Sequence, residues 1–82
     1  MTYEEKYKTW NQVSEYASKE IDSTFPNWIY DSEKYSLAEA TWKEIKGRII
    51  EHFEIANMSY LTDQDLEKAK EISLNTIKEY TS

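Results

Sequence analysis

Cysteine is absent from the 82-residue sequence, and glycine and proline each occur once. Without cysteine the chain can form neither a disulfide framework nor a thiolate-ligated metal site. A single glycine excludes the glycine-rich loops that cradle phosphates. No apolar run approaches the roughly 20 residues of a membrane-spanning helix, and the first residues lack the basic and apolar regions of a secretory signal. We therefore expect a soluble, cytoplasmic protein with no membrane contact.

Length and charge set the next limits. We expect a single helical domain over residues 1–82, whose thin core buries only about 60–65% of the unfolded surface. Three Trp, seven Tyr and two Phe supply much of the apolar area. The net charge is −6, from 16 acidic and 10 basic residues that are interleaved along the chain. This distribution argues against a polybasic arm and direct nucleic-acid binding, whereas it would attract a partner with a basic surface.

The first predicted helix covers residues 2–21. Thr2 and Glu5 have the spacing of a capping box, in which each side chain bonds the other's backbone N–H. An apolar stripe with helical periodicity follows. Its members are Tyr3, Tyr7, Trp10, Val13, Ala17 and Ile21.

The second predicted helix, residues 36–57, has the most regular stripe and organises the fold. Ser36 and Glu39 form another capping-box pattern, and Asn57 is a residue type that readily ends a helix in the left-handed conformation. Glu44 and Arg48 have the spacing of a favourable ion pair. The stripe consists of Ala38, Trp42, Ile45, Ile49, Phe53 and Ala56.

The third predicted helix covers residues 62–80, with Thr62 as its cap. Leu61 and Leu66 flank the cap as a hydrophobic staple. Because residues 58–61 form a connector of only about four residues, this helix should lie antiparallel to the second. Its stripe is the weakest of the three and consists of Leu66, Ala69, Ile72 or Ser73, Thr76, Ile77 and Tyr80. Three amphipathic helices that share one core predict an all-α three-helix bundle.

Residues 22–35 form an aromatic-rich connector that we expect to pack on the bundle. The expected division leaves Phe25 and Ile29 buried and the other aromatic residues partly exposed. Trp and Tyr are common at the centres of protein interfaces, and neighbouring acids would steer a basic partner. The alternative is that these aromatic residues only close an open end of the bundle. The candidate partner-binding residues are Tyr16, Trp28, Tyr30, Asp31, Glu33 and Tyr35.

The remaining residues show no pattern that is typical of a catalytic or metal-binding site. His52 is the only histidine, and its helix neighbours are not natural metal ligands. The acids at the start of the third helix match the helix dipole. We predict no catalytic activity, no metal and no cofactor. The single glycine, Gly47, falls in the middle of a predicted helix, where it is expected to admit a large side chain from a neighbouring element. The alternative is the close approach of a partner protein's helix.

These patterns favour a small acidic protein that binds another protein. An inhibitor or adaptor that occupies a basic, for example nucleic-acid-binding, site of its target is the leading interpretation. The alternative is a self-assembling structural protein, such as a homodimer, that uses Ile50, Ile55 and Leu74 as a second apolar face. A DNA-binding regulator is less favoured, because Asp63, Asp65 and Glu67 would bring negative charge to the phosphates.

Overall fold

The computed structural model describes residues 3–81, with side chains from Glu5 onward. Its helices are α1 (Tyr3–Lys6), α2 (Lys8–Thr24), α3 (Ser32–Phe53) and α4 (Leu66–Thr81). Single 3₁₀ turns occur at Trp28–Tyr30, Met58–Tyr60 and Asp63–Asp65. The described residues contain no strand, and the three long helices share one core. The predicted all-α three-helix bundle is confirmed.

The first predicted helix is divided in two. Tyr7 leaves the helical path with φ −110° and ψ 22°, so the one-turn helix α1 is separate from α2. Helix α2 continues to Thr24, three residues beyond the predicted end at Ile21. Val13, Ala17 and Ile21 are buried as the stripe predicts. The capping box of Thr2 and the side chain of Tyr3 lie outside the described part of the chain.

Helix α3 begins at Ser32, four residues earlier than predicted. Its cap is Asp31, whose carboxylate accepts hydrogen bonds from the backbone N–H groups of Glu33 and Lys34, both at 3.1 Å. Asp31 has an extended backbone, as a helix-capping residue requires. The predicted capping box at Ser36 is therefore wrong, because an acid upstream satisfies the first N–H groups and places Ser36 inside the helix. The connector that was expected over residues 22–35 shrinks to residues 25–31, the first connection.

The end of α3 also differs from the prediction. Glu54, with φ 52°, is the left-handed residue that ends the helix, whereas Asn57 is extended with φ −159° and accepts a hydrogen bond from the N–H of Ser59 at 2.9 Å. Ala56, the last member of the predicted stripe, is exposed. The earlier turn lets the chain carry Met58 and Leu61 back into the core.

The second connection consequently spans residues 54–65 and is much longer than the four-residue connector predicted. Thr62 remains a cap, but of the 3₁₀ turn that leads into α4, and Asp65 accepts its backbone N–H at 2.9 Å. Helix α4 begins at Leu66 instead of residue 62 and ends at Thr81, one residue beyond the prediction.

Helix α4 packs against both α2 and α3 and closes the core. The Thr9 hydroxyl donates to Asp63 at 3.4 Å, so α2 and α4 start at the same end of the bundle and run parallel. Polar groups within the core are satisfied locally, because Ser73 and Thr76 donate to the carbonyls of Ala69 and Ile72, at 2.9 and 2.7 Å. The buried apolar residues are Val13, Ala17, Ile21, Phe25, Ala38, Ile45, Ile49, Met58, Leu61, Ala69 and Ile77.

Arg48 ties α3 to α4. Its Nε donates to Glu44 at 2.9 Å, as the sequence spacing predicts, and its Nη1 donates to the Thr76 hydroxyl at 3.2 Å. Both terminal nitrogens also donate to Glu79, so the guanidinium holds carboxylates from two helices. The hydrogen bond from Arg48 lowers the pKa of Glu79 below its ordinary value. The contact of α3 and α4 is thus held by a planar charged group as well as by the core.

Gly47 does not have the role predicted for it. A methyl group added at this position would meet no atom within 4 Å, and the backbone needs no positive φ. The expected close approach of a large side chain is therefore wrong. The residue faces away from the core, where nothing in the bundle requires glycine.

Candidate protein-binding surface

The first connection is a tight turn. Asn27 adopts the left-handed conformation with φ 61°, which Asn tolerates better than most residues. The chain then makes one 3₁₀ turn, in which the N–H of Trp28 bonds the carbonyl of Phe25 at 3.1 Å and the N–H of Tyr30 bonds that of Asn27 at 3.0 Å. Phe25 is buried, as predicted. The turn is therefore anchored in the core at its start and by the Asp31 cap at its end.

Trp28 is half-buried and attached on two sides. Its indole Nε1 donates to the carboxylate of Asp22 on α2 at 2.8 Å. Its ring lies 5.4 Å from the ring of Tyr35 on α3, at an interplanar angle of 44°. Trp28 also packs against the hydrophobic core. The side chain thus joins two helices across the turn.

The next two side chains point away from the protein. Tyr30 is 89% exposed and Ile29 is 63% exposed. The prediction that Ile29 is buried is wrong, because Phe25 and Trp28 already cover this end of the core. Among the side chains that the structure describes, four of the six large hydrophobic residues that are exposed lie within residues 29–37. They are Ile29, Tyr30, Tyr35 and Leu37.

Leu37 does not extend this surface beside Tyr35. Two successive helical steps rotate the side-chain direction by about 200°, so the two residues lie on nearly opposite sides of α3. Ile29 and Tyr30 instead share a shallow recess with Asp22, Asn27 and Trp28. We name the residues Ile29, Tyr30 and Tyr35 the exposed patch.

The charge beside the exposed patch is mostly acidic. Between Lys19 and Lys34 the sequence contains no basic residue but four acids, which are Glu20, Asp22, Asp31 and Glu33. The Lys34 ammonium donates to the carbonyl of Pro26 at 3.3 Å, so it is drawn toward the turn's backbone. Asp31 and Glu33 are exposed. The patch consequently offers aromatic and aliphatic surface next to carboxylates.

Tyr16 does not join this surface, contrary to the sequence prediction. It is half-buried in a separate groove between α2 and α4, where the Lys70 ammonium lies 5.5 Å from the ring centroid. That groove carries charges of both signs on its α4 side. Its lining residues are Tyr16, Gln64, Glu67, Lys68, Lys70, Glu71 and Leu74.

The second apolar face expected for self-assembly is divided among different environments. Ile55 packs against the core, Leu74 lines the groove beside Tyr16, and Ile50 is only 37% exposed. His52 is exposed, with its ring 4.8 Å from that of Phe53. Within residues 3–81, no three acids, histidines or cysteines are grouped closely enough to hold a metal ion. No helix in that range has the length and apolar character to cross a bilayer.

Sequence reasoning grouped Trp28, Tyr30, Asp31, Glu33 and Tyr35, which the structure places on or beside one turn. It missed Asp22 as the partner of Trp28. No sequence signal marked Asp22, because the predicted first helix ended at Ile21 and left Asp22 in the connector. Comparisons with family models, curated proteins and solved structures found no match to this chain.

Proposed function

We propose that this protein is a small non-enzymatic binding protein that docks on a basic surface of another protein through the exposed patch. The observation that carries the proposal is the outward display of Ile29 and Tyr30 on a turn held by contacts to α2 and α3. A rigidly presented aromatic side chain gives contact area without a large ordering cost on binding.

The acids beside the patch support a basic partner. Asp31 and Glu33 would complement Lys or Arg on the partner and accelerate association at low salt. Occupation of such a basic site, for example one that binds nucleic acid, would make this protein an inhibitor or an adaptor. The net charge of −6 opposes approach to nucleic acid itself and works against close pairing of two copies.

The experiment compares two exposed tyrosines. Tyr30 and Tyr60 are 89% and 60% exposed, and each is the last residue of a 3₁₀ turn. Immobilised wild type, Tyr30→Ala and Tyr60→Ala are used to capture proteins from cells of the source organism, and each captured protein is quantified by mass spectrometry. We expect Tyr30→Ala to reduce recovery of the partner at least tenfold, the size of an interface hot spot, and Tyr60→Ala to leave it unchanged.

Two further measurements define the partner. Recovery should fall as salt rises, and heparin, a polyanion, should compete if the partner's site is one that binds nucleic acid. Equal recovery on all three proteins would reject the exposed patch as the binding surface. Sedimentation of the free protein at micromolar concentration tests the self-assembling alternative, because a stable dimer would show that the patch or another face binds a second copy.

A further inference from the structure

Asp22 occupies a position that its own helix does not favour. It lies in the last turn of α2, where the partial negative charge of the helix end repels a carboxylate. The residue is exposed, so burial does not fix it in place. Its hydrogen bond from the Trp28 indole, at 2.8 Å, gives the carboxylate a specific partner in the first connection. A bond of an N–H group to a charged acceptor is stronger than one between neutral groups.

The same indole is held from the opposite side. Tyr35 of α3 contacts the Trp28 ring at 5.4 Å, and the left-handed residue Asn27 fixes the direction in which the turn leaves the core. Phe25 is buried and the Trp28 ring packs against the core between α2 and α3. Ile29 and Tyr30 are the two that project.

We infer that Asp22 and Trp28 form a latch that positions Ile29 and Tyr30 for the partner, and that Asp22 itself is a positioning residue and not a contact. This inference rests on the proposed function, and it assigns different roles to residues of one surface. The latch reduces the ordering that the turn undergoes on binding, which raises affinity without adding a contact.

Hydrogen exchange tests the latch without any partner. Asp22→Ala removes the acceptor, Asp22→Asn keeps an acceptor oxygen without the charge, and Glu15→Ala removes a different exposed acid of α2. Exchange with water is measured by NMR at the Trp28 indole N–H and at the amides of Tyr30 and Asp31. We expect Asp22→Ala to accelerate these three sites about fivefold, the equivalent of one modest hydrogen bond, while core amides of α3 keep their rates.

The variants separate a local latch from general stability. Asp22→Asn should retain most of the protection, and Glu15→Ala should leave it unchanged. Unaltered exchange in Asp22→Ala would overturn the inference. Equal acceleration at every amide in the chain would also overturn it, because Asp22 would then act only on the whole fold.

Affinity for the captured partner gives the second readout. Asp22→Ala should weaken binding about fivefold through the loosened turn, and Asp22→Asn should restore it. Tyr30→Ala should weaken binding without a change in exchange at the Trp28 indole. Loss of binding in Asp22→Asn with normal exchange would show that the carboxylate contacts the partner, contrary to the inference.

The two proposals can fail separately. If recovery depends on Tyr30 but Asp22→Ala changes neither exchange nor affinity, the proposed function stands and the latch is rejected. If exchange responds as expected but recovery is independent of Tyr30, the proposed function fails. The positioning role for a partner fails with it, and the latch remains a feature of the fold alone.

Discussion

The two connections of this bundle contain the same kind of turn but differ in whether its apolar side chains are buried or exposed. Each contains a 3₁₀ turn that ends in an exposed tyrosine, Trp28–Tyr30 in residues 25–31 and Met58–Tyr60 in residues 54–65. In the second connection, Met58 and Leu61 are buried at 8% and 7% exposure, and the middle position of the turn is a serine. In the first, the middle position is Ile29, which is 63% exposed.

Comparing the two connections distinguishes apolar residues that are buried in the core from apolar residues that the fold leaves exposed. The second connection delivers Met58 and Leu61 to the core, and Tyr60 is its one large apolar residue that stays exposed. The first delivers Phe25 to the core and then displays Ile29 and Tyr30 beside acids. Single exposed apolar residues are ordinary on a protein surface. Their concentration on a braced turn, with mostly acidic charge nearby, is the reason to propose that they contact a partner.

The largest effect on stability is expected in the second connection, where Met58 and Leu61 are buried. Leu61→Ala removes a buried side chain from the second connection and should lower the free energy of unfolding by about 2–4 kcal/mol. Urea unfolding followed by far-UV circular dichroism measures the change. Ile29→Ala is the matched control in the first connection and should change it by no more than about 0.5 kcal/mol. Similar losses in both variants would abolish the distinction between the two connections.

The second prediction compares the polar groups that hold the turns. Asp31→Ala deletes the cap of the 22-residue helix α3 and should lower the free energy of unfolding by about 1 kcal/mol. Asn57→Ala removes a similar acceptor from a three-residue 3₁₀ turn and should cost less, since few residues depend on it. The same unfolding experiment applies to both. An equal or larger loss for Asn57→Ala would show that the second connection is the more dependent on its cap.

Helical periodicity in the sequence was sufficient to predict the three stripes and the bundle. Val13, Ala17 and Ile21 are buried as predicted, and so are Ile45 and Ile49. Helix ends were predicted less well, because several residues near each end could serve as caps. Ser36 has a proper capping pattern, but Asp31 starts the helix earlier. The choice depends on which residues must reach the core, and that is a property of the whole fold.

The candidate site was predictable as a segment but not as a surface. Aromatic composition marked residues 22–35, and the order Trp28, Ile29, Tyr30 gave no periodic sign of which side chain points inward. Hydrophobicity alone predicts a buried Ile29, whereas the structure covers this end of the core with Phe25 and Trp28. Tyr16 was grouped with this segment because it is off its helical stripe, and the packing of α4 beside α2 places it in another groove.

A third prediction asks how far the partner surface extends from the first connection along α3. Gly47 is exposed and has no neighbour that a methyl group would touch, so Gly47→Ala should raise the free energy of unfolding by about 0.5–1 kcal/mol. Urea unfolding measures the gain. Capture of the partner should be unaffected if the interface is confined to the exposed patch. A stabilised variant that loses the partner would extend the interface to the middle of α3.

The smallest expected effect on stability is also the most direct test of the comparison. Ile29→Ser gives the first turn the same middle residue as the second. Because Ile29 is 63% exposed, the free energy of unfolding should change by no more than about 0.5 kcal/mol. The same substitution should weaken binding of the partner at least fivefold, since it removes an anchor from the centre of the patch.

In Ile29→Ser, the measurement of stability and the measurement of binding check each other. A loss of stability above about 1.5 kcal/mol would be the cost of removing a buried side chain, and it would mean that Ile29 is covered in solution by the chain or by a second copy. Sedimentation of wild type and Ile29→Ser separates these two cases. Unchanged stability together with unchanged binding would make Ile29 an ordinary surface residue, and Tyr30 alone would then have to carry the interface. We expect unchanged stability together with weakened binding. That result would show that the fold leaves the apolar side chain of Ile29 exposed and that the partner contacts it.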